Sequence, residues 1–490
     1  MATEAVYGLM IGGAESTGAP SSYEELVDPA NNRPLARVAV GTPEDASRAM
    51  EVAQAAFDAN EWSGGDGARR AKTLVRLAQL LEQHQEEFAL LESRNMGKTL
   101  REARVDIGYV VRTLEYVSGL ADKVEGQTIP VPGSRFNYTL REPLGVTVHI
   151  APWNYPLLLA LRSVAPALAA GNAVVLKPAS LTPLTALRFA RLAKEAGVPD
   201  GILNVVPGPG GTVGDTLLKD RRCRSVSFTG SGEVGRRIAA LAAERMVPAT
   251  LELGGKSPVV VLADADVERA ARGIALGIFG NAGQMCWAGS RLIVHESVCA
   301  AVLGKLRTLA EAMRLGAGTE EGVDMGPLVS REQEHRVLEY VQVAKGDGGT
   351  VVTGGTKATE PALANGNFVR PTVLADLPAS ARASREEIFG PVLTSFSFRE
   401  VDEAVRLANE TPYGLFAAVW TRDLVNAHQL ARRLEAGMVV VNEPPLTFPQ
   451  SPFGGFKESG VGSEQGSGVV ARYTRTKSVL VNLGAPKRKG

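Results

Sequence analysis

Between residues 144 and 252 the sequence alternates short strand-like runs with stretches that have helical spacing. Runs of four or five residues that contain Val, Ile, Leu or Phe are typical of strands, and the longer stretches between them are typical of helices. The runs are 146–150, 173–177, 203–206, 225–228 and 249–252. Repeated strand–helix units predict a doubly wound, mostly parallel α/β sheet, in which ligands bind beyond the carboxyl ends of the strands.

Several polar residues stand at that predicted ligand-binding edge. Asn154, Lys177, Ser231 and Glu252 each lie at or just beyond the end of a strand run. Residues 230–235 also spell a G-x-G-x-x-G pattern between a strand and a helix, where backbone amides can bind phosphate. The pattern arises often in glycine-rich chains, so a plain tight turn stays open as the alternative.

Outside this region the chain predicts packing helices, a hairpin and a second α/β segment. Amphipathic spacing predicts helices over 43–58, 66–93 and 98–119. Residues 125–142 have the pattern of a β-hairpin, and residues 253–440 alternate strands and helices again. An isolated two-stranded hairpin is marginal in water, so we expect it to pack on another chain.

A glycine-rich loop presents one cysteine in a setting suited to chemistry. Residues 267–279 have one apolar helical face, and Gly280 and Gly283 end that helix before the strand run 291–295. Cys286 would therefore be both fixed and accessible. A free thiol has a pKa of ~8.5, so only a few per cent is thiolate at neutral pH. A buried structural cysteine is the alternative.

Composition narrows the class of protein. The chain has 490 residues, enough for two or three domains, and its zero formal net charge disfavours a nucleic-acid partner. The only short basic cluster of three consecutive residues in the chain is at residues 487–489. Three cysteines, Cys223, Cys286 and Cys299, are too sparse for a disulfide framework and indicate a reducing compartment. With neither a signal-peptide layout nor an apolar run of ~18 residues, we expect a cytoplasmic protein without a membrane partner.

Seven motifs in order give the chain a clear resemblance. They are 152–156 (PWNYP), 177–179 (KPA), 228–231 (FTGS), 252–258 (ELGGKSP), 283–286 (GQMC), 386–391 (EEIFGP) and 452–455 (PFGG). The chain resembles the aldehyde dehydrogenase superfamily over essentially its whole length, in the branch that takes aromatic, semialdehyde and betaine-type substrates. Glu252 and Cys286 stand 34 positions apart, as in the family pattern.

The resemblance implies the domain organisation. A cofactor-binding domain would span 1–252, interrupted by an oligomerisation hairpin at 124–143, and a catalytic domain would span 253–440. Residues 441–490 would return to the cofactor domain and end in an oligomerisation strand. In the family the hairpin and the last strand pair across subunits, so a homodimer or homotetramer is expected.

The resemblance also implies the chemistry. Cys286 would attack the aldehyde carbon, because a planar aldehyde has no good hydride to give until a tetrahedral adduct forms. The Asn154 side chain and the Cys286 backbone N–H would form the oxyanion hole, and Glu252 would activate water to release a free acid. The alternatives are that Glu252 is a plain strand-end carboxylate and Asn154 a turn residue. No metal is implied.

A nicotinamide cofactor, NAD or NADP, follows from the same resemblance. Lys177 resembles the residue that holds the adenosine ribose, Glu387 the carboxylate that binds the nicotinamide ribose, and Phe389 the ring beside it. The other implied cofactor contacts are Trp153, Gly210, Gly230, Ser231 and Leu253. Lys177 as an ordinary surface lysine is the alternative.

Ser180 bears on the choice between NAD and NADP. NAD-preferring relatives usually carry a glutamate at this position, and its carboxylate repels a 2′-phosphate. A neutral serine predicts that NADP is accepted at least as readily as NAD. The alternative is that Ser180 caps the next helix.

The residues after Asn154 suggest a substrate class. Tyr155, Leu159 and Arg162 fall on one helical face, and Trp287 and Phe448 add aromatic surface. Betaine-aldehyde relatives usually carry tryptophan where Arg162 stands, so we expect an aromatic aldehyde, with a succinic-semialdehyde-like or betaine-type aldehyde as alternatives. Arg162 could instead point away from the pocket and pair with an acid of the helix bundle. Two more distant hypotheses are a cofactor-independent thiol esterase and a non-catalytic relative.

Overall fold

The computed structural model describes residues 5–17 and 22–484, so the basic cluster at 487–489 lies outside the described residues. Its strands are β1 (Ala5–Tyr7), β2 (Leu9–Ile11), β3 (Ala14–Ser16), β4 (Tyr23–Asp28), β5 (Arg33–Ala39), β6 (Thr128–Ile129), β7 (Arg135–Pro143), β8 (Val146–Ile150), β9 (Ala173–Lys177), β10 (Leu203–Val205), β11 (Cys223–Thr229), β12 (Ala249–Glu252), β13 (Pro258–Val261), β14 (Arg291–His295), β15 (Thr350–Thr353), β16 (Thr372–Ala375), β17 (Val392–Phe398), β18 (Tyr413–Gly414), β19 (Phe416–Trp420), β20 (Met438–Val441), β21 (Phe456–Lys457), β22 (Gly460–Val461) and β23 (Thr474–Asn482).

Helices connect most of these strands. They are α1 (Pro43–Asp58), α2 (Gly67–Gln83), α3 (Gln85–Met96), α4 (Leu100–Ser118), α5 (Pro156–Ala169), α6 (Leu184–Ala196), α7 (Asp215–Lys219), α8 (Gly232–Glu244), α9 (Val267–Phe279), α10 (Glu296–Ala312), α11 (Arg331–Gly346), α12 (Arg382–Arg385), α13 (Val401–Asn409), α14 (Leu424–Arg433) and α15 (Val469–Arg472). In the described ranges, no helix is both long enough and apolar enough to cross a membrane.

The first large sheet contains all five strand runs of the sequence analysis. Its order is β22-β12-β11-β8-β9-β10-β2-β3, and the block from β12 to β10 is parallel. The middle of the parallel block is buried on both faces, since β8 and β9 are almost wholly buried. One face of β8 nevertheless carries the polar residues Thr147 and His149, which are hydrogen-bonded to each other.

The second large sheet has the order β15-β16-β17-β14-β13-β19-β20 and is parallel except at β15. The chain passes from the first sheet to the second between Glu252 and Pro258, close to the expected domain boundary. Cys286 lies just before β14, at the amino edge of this sheet, whereas Glu252 ends a strand of the first sheet. The carboxyl edge of one sheet therefore meets the amino edge of the other around these two residues.

The hairpin region forms a three-stranded sheet, β23-β7-β6. Strand β7 pairs with β23 of the same chain along nine residues, from Pro143 opposite Thr474 to Arg135 opposite Asn482. Within one chain the hairpin strand β7 and the last strand β23 therefore pair with each other, and pairing across subunits stays a prediction. The last strand supplies the third strand that a marginal hairpin lacks.

One predicted helix is two helices. The expected helix over 66–93 breaks at His84, whose backbone is not helical (φ −99°, ψ 14°), so α2 ends and α3 begins there. Both helices bury apolar side chains against the same core, so the periodicity alone cannot reveal the break. The next helix, α4, starts with a capping box between Thr99 and Glu102.

Candidate active site

The loop that carries Cys286 has an unusual backbone. After α9, Asn281 and Ala282 adopt left-handed conformations (φ 48° and 51°), and Gly283 follows with φ 71°. Gly283 must be glycine, because a Cβ there would lie 2.1 Å from the carbonyl oxygen of Gly390. Such backbone persists only where the surroundings enforce it, and it is concentrated at functional sites.

Cys286 lies where two cavities meet. It lines a cavity of about 190 Å³ together with the predicted cofactor residues and a second cavity of about 480 Å³ that opens on the other side. Burial raises the pKa of the thiol to about 12, with Glu387 and Glu252 adding to the rise and Arg162 opposing it. The thiol must therefore give its proton to a base as it attacks.

Glu252 faces the smaller cavity from the end of β12. It is 3% exposed, and neither carboxylate oxygen has a hydrogen-bond partner among the described residues. Burial raises its pKa well above the ordinary value, the neighbouring Glu464 raises it further, and Arg162 and Arg472 oppose the rise. A buried carboxylate with free lone pairs and a raised pKa has the properties of a general base.

The side-chain amide of Asn154 is fixed beside the loop that carries Cys286. Its Nδ2 donates to the carbonyl oxygen of Gln284 at 2.9 Å, and Asn281 Nδ2 donates to the Asn154 carbonyl at 3.1 Å. The bond to Gln284 uses one of the two amide hydrogens. The second hydrogen remains available for an oxyanion.

Six predicted cofactor residues line the smaller cavity. They are Trp153, Gly230, Ser231, Leu253, Glu387 and Phe389. The Trp153 and Phe389 rings meet edge to face with centroids 5.2 Å apart, and Glu387 accepts a hydrogen bond from the Gly255 amide at 3.0 Å. Burial raises the pKa of Glu387 to about 7. Ser231 caps α8 by accepting from the Val234 amide at 3.4 Å.

Lys177, Ser180 and Gly210 lie outside that lining, further along the edge of the first sheet. Lys177 is 5% exposed, so the surface-lysine alternative is wrong; its ammonium donates to the Pro178 carbonyl at 2.9 Å, and burial lowers its pKa to about 8. The Ser180 hydroxyl donates to the Gly208 carbonyl at 3.2 Å. Because α6 has Pro183 at its N-cap and no side-chain cap, the alternative that Ser180 caps it is also wrong.

Four of the five predicted pocket residues line the larger cavity. They are Tyr155, Leu159, Arg162 and Trp287. Phe448 lies outside the lining and is 53% exposed, whereas Phe453, which the sequence analysis did not single out, is buried and lines the cavity. The Phe453 and Trp287 rings meet at a centroid distance of 5.6 Å.

Arg162 is buried and paired. Its Nε lies 2.9 Å from Glu464 Oε2, and its guanidinium stacks over the Phe453 ring at 4.1 Å. Glu464 also accepts a hydrogen bond from the Ser227 hydroxyl at 3.2 Å. The alternative for Arg162 is therefore correct only in that Arg162 pairs with an acid. The acid belongs to the C-terminal segment and not to the helix bundle, and Arg162 does not point away but lines the larger cavity.

Two residues of α11 also line the smaller cavity and were missed by the sequence analysis. Gln333 and Arg336 line the smaller cavity and donate to the backbone carbonyls of Phe389 (2.7 Å) and Glu387 (3.1 Å), respectively. Polar residues on a charged amphipathic helix carry no local signal that would distinguish them from solvated ones.

Known proteins are similar to this chain in fold and in sequence over nearly their whole length. The family model described as "Aldehyde dehydrogenase family" matches residues 17–479. A phenylacetaldehyde dehydrogenase of Pseudomonas fluorescens is 44% identical, with 96% of this chain and 95% of that protein covered. A betaine aldehyde dehydrogenase of Bacillus subtilis is 41% identical, with 97% of each covered. The NAD+ complex of an aldehyde dehydrogenase from Bacillus cereus superposes with a TM-score of 0.95 at 41% identity, covering 98% of this chain and 97% of that one. The chain belongs to the aldehyde dehydrogenase family.

Proposed function

We propose that this aldehyde dehydrogenase oxidises an aromatic aldehyde to the free carboxylic acid, with NAD or NADP as the hydride acceptor. The observation that carries the proposal is the larger cavity, which is lined mainly by apolar and aromatic side chains and reaches Cys286. An apolar cavity with a few polar groups at its reactive end is typical of small-molecule sites.

Three residues perform the covalent chemistry in this proposal. Cys286 gives its thiol proton to a base and adds to the aldehyde carbon, and the Asn154 amide stabilises the thiohemiacetal alkoxide that forms. Loss of hydride leaves a thioester on Cys286. Glu252 then removes a proton from water, which attacks the thioester and releases the acid. Loss of one oxyanion-hole donor raises the activation free energy by roughly 3 kcal/mol and so lowers the rate about 10²–10³-fold.

The residues of the cofactor side fit a nicotinamide dinucleotide. The first turn of α8, which follows Gly230 and the N-cap residue Ser231, offers backbone amides to a pyrophosphate. Gly210 has open space where a side chain would be, and the Lys177 ammonium can donate two further hydrogen bonds beyond the one to Pro178. Such a cofactor, when bound, supplies the hydride acceptor. This donor set disfavours a cofactor-independent thiol esterase, and the paired presence of Cys286 and Glu252 disfavours a non-catalytic relative.

The state of Arg162 favours a neutral aromatic substrate over the two alternatives. Because Glu464 pairs with Arg162, the attraction of the guanidinium for the carboxylate of a succinic-semialdehyde-like aldehyde is reduced, even though Arg162 Nη2 has no hydrogen-bond partner among the described residues. A trimethylammonium group would need an open aromatic face, and the face of Phe453 is already covered by Arg162. The phenylacetaldehyde dehydrogenase relative agrees with this choice, whereas the betaine aldehyde relative does not.

Substrate comparison tests this choice directly. We expect kcat/KM for benzaldehyde or phenylacetaldehyde to exceed the values for succinic semialdehyde and betaine aldehyde by about tenfold or more. The double variant Arg162→Leu/Glu464→Leu removes both charges without stranding either, so it should keep the same order. A selective loss of succinic semialdehyde oxidation in that variant would favour the acidic substrate, and betaine aldehyde as the best wild-type substrate would contradict the aromatic one.

We predict that NADP is accepted at least as readily as NAD and that Ser180→Glu reduces kcat/KM for NADP about tenfold or more, with little change for NAD. A carboxylate at this position would face a 2′-phosphate of charge about −2, and like charges in contact are costly. Ser180→Ala is the matched control, since it removes the hydroxyl but adds no charge. An unchanged ratio of NADP to NAD use in Ser180→Glu would reject the role of this residue.

We also propose a cytoplasmic homodimer or homotetramer. The three cysteines are free, as suits a reducing compartment. Exposed apolar side chains at Phe456, Val461 and Leu480 would be covered by a second copy of the chain. Light scattering of the purified protein gives the mass directly, and a monomeric mass would contradict the assembly.

A further inference from the structure

We propose that Glu102 is a positioning residue for catalysis: its carboxylate reaches from α4 to the strained turn before Cys286 and holds that turn in its reactive shape. The inference rests on the proposed role of Cys286 as the nucleophile. Glu102 belongs to the first turn of a packing helix in which the sequence showed no chemistry.

The Glu102 carboxylate accepts hydrogen bonds from two different segments of the chain. Glu102 Oε1 accepts a hydrogen bond from the Asn281 amide at 2.7 Å. Glu102 Oε2 completes the capping box of α4 by accepting from the Thr99 amide at 2.9 Å and from the Thr99 hydroxyl at 2.8 Å. Oε1 also lies 3.7 Å from the position a Cβ would take on Gly280, so the carboxylate rests against the backbone of the turn.

The turn needs external support. Asn281 and Ala282 are both left-handed, a conformation that costs energy for residues with a Cβ and is rarely adopted twice in succession. The bond to Glu102 comes from outside the loop and has a charged acceptor, and such bonds are shorter and stronger than neutral ones. This hydrogen bond therefore stabilises the left-handed conformation of the turn.

Asn281 connects the turn by hydrogen bonds to Asn154 and to the segment that leads to Cys286. Its side-chain Nδ2 donates to the Asn154 carbonyl at 3.1 Å and to the Gln284 carbonyl at 3.2 Å. The same Gln284 carbonyl accepts from the Asn154 amide, which is the proposed oxyanion donor. A shift at Asn281 would thus move both the oxyanion donor and the segment leading to Cys286. A misplacement of about 1 Å at a reacting centre can cost about 10²-fold in rate.

The competing explanation is that Glu102 only stabilises the start of α4. Thr99→Ala separates the two, because it removes the hydroxyl of the capping box and leaves the bond from Asn281 to Glu102 in place. We expect Glu102→Ala to lower kcat about tenfold or more for every aldehyde tested, with Kd for NAD unchanged. Thr99→Ala should lose thermal stability but keep a kcat near that of the wild type. Hydrogen–deuterium exchange of the peptide containing residues 280–286 should accelerate in Glu102→Ala only.

A conservative variant provides the rescue. Glu102→Gln keeps an oxygen acceptor for the Asn281 amide, so its kcat should stay within about threefold of the wild type. If Glu102→Ala does not fold, Glu102→Asp, which is one methylene too short to reach both partners, should show the same kinetic loss. Equal kcat in Glu102→Ala and Thr99→Ala, equal losses in the Ala and Gln variants, or a KM effect confined to one aldehyde would each overturn the proposal. Substantial turnover by Cys286→Ser would instead overturn the proposed function itself.

Discussion

Replacing Cys286 with serine should abolish aldehyde oxidation while cofactor binding is retained. We expect kcat to fall by about 10⁴-fold or more, the scale on which a lost nucleophile is felt in enzymes with covalent intermediates. The pKa of a serine hydroxyl lies far above that of a thiol, and the pKa of the Cys286 thiol is itself already raised to about 12 by burial. A hydroxyl in the same surroundings would therefore be too weak a nucleophile to form the adduct from which hydride leaves. Steady-state reduction of the cofactor, together with its Kd, provides the measurement.

Cys299→Ser is the matched control for this experiment. Cys299 lies on α10, is partly exposed and lines neither cavity of the site. Its replacement should leave kcat unchanged. Substantial dehydrogenase turnover in Cys286→Ser, or a comparable loss in Cys299→Ser, would contradict the assignment of the nucleophile.

The parts of the fold that sequence predicted well are those governed by local physics. The strand runs 146–150, 173–177 and 249–252 coincide with β8, β9 and β12, because short runs that contain Val, Ile, Leu or Thr carry a local strand signal. The helix before the nucleophile loop is α9 with the expected bounds, since one apolar face repeats at helical spacing and glycine ends it. Local pattern could also place Cys286 between that helix and β14.

What sequence could not provide are contacts between segments that are distant along the chain. Arg162 meets Glu464 and Phe453, which lie in a glycine-rich stretch without periodicity, so neither partner carries a local signal. Because this stretch lacks periodicity, nothing local indicates that Phe453, and not Phe448, lines the larger cavity. The sequence also gives no indication of the hydrogen bond from the Asn281 amide to Glu102, because the capping-box pattern accounts for Glu102 without a second role.

Glu252→Gln should block release of the acid more than formation of the thioester. We expect a burst of reduced cofactor close to one equivalent per site, followed by a steady state slower by about 10²–10⁴-fold, the usual contribution of a general base. The amide has nearly the same size as the carboxylate, so the cavity is preserved while the basic group is lost. Rapid-mixing absorbance of the reduced cofactor resolves the burst from the steady state.

The pH dependence of the steady state tests the same assignment from another side. Burial and Glu464 raise the pKa of Glu252, and the base acts only in its ionised form. Wild-type turnover should therefore be low on the acid side and rise as the pH rises through that pKa, and the rise should be missing in Glu252→Gln. Glu464→Gln removes a negative neighbour and frees Arg162 to act on Glu252, so it should move the rise to lower pH while the burst remains. If instead the burst disappears together with turnover in Glu252→Gln, then Glu252 also takes the proton of Cys286, because a thiol whose pKa is near 12 needs a base for the first step as well as the last.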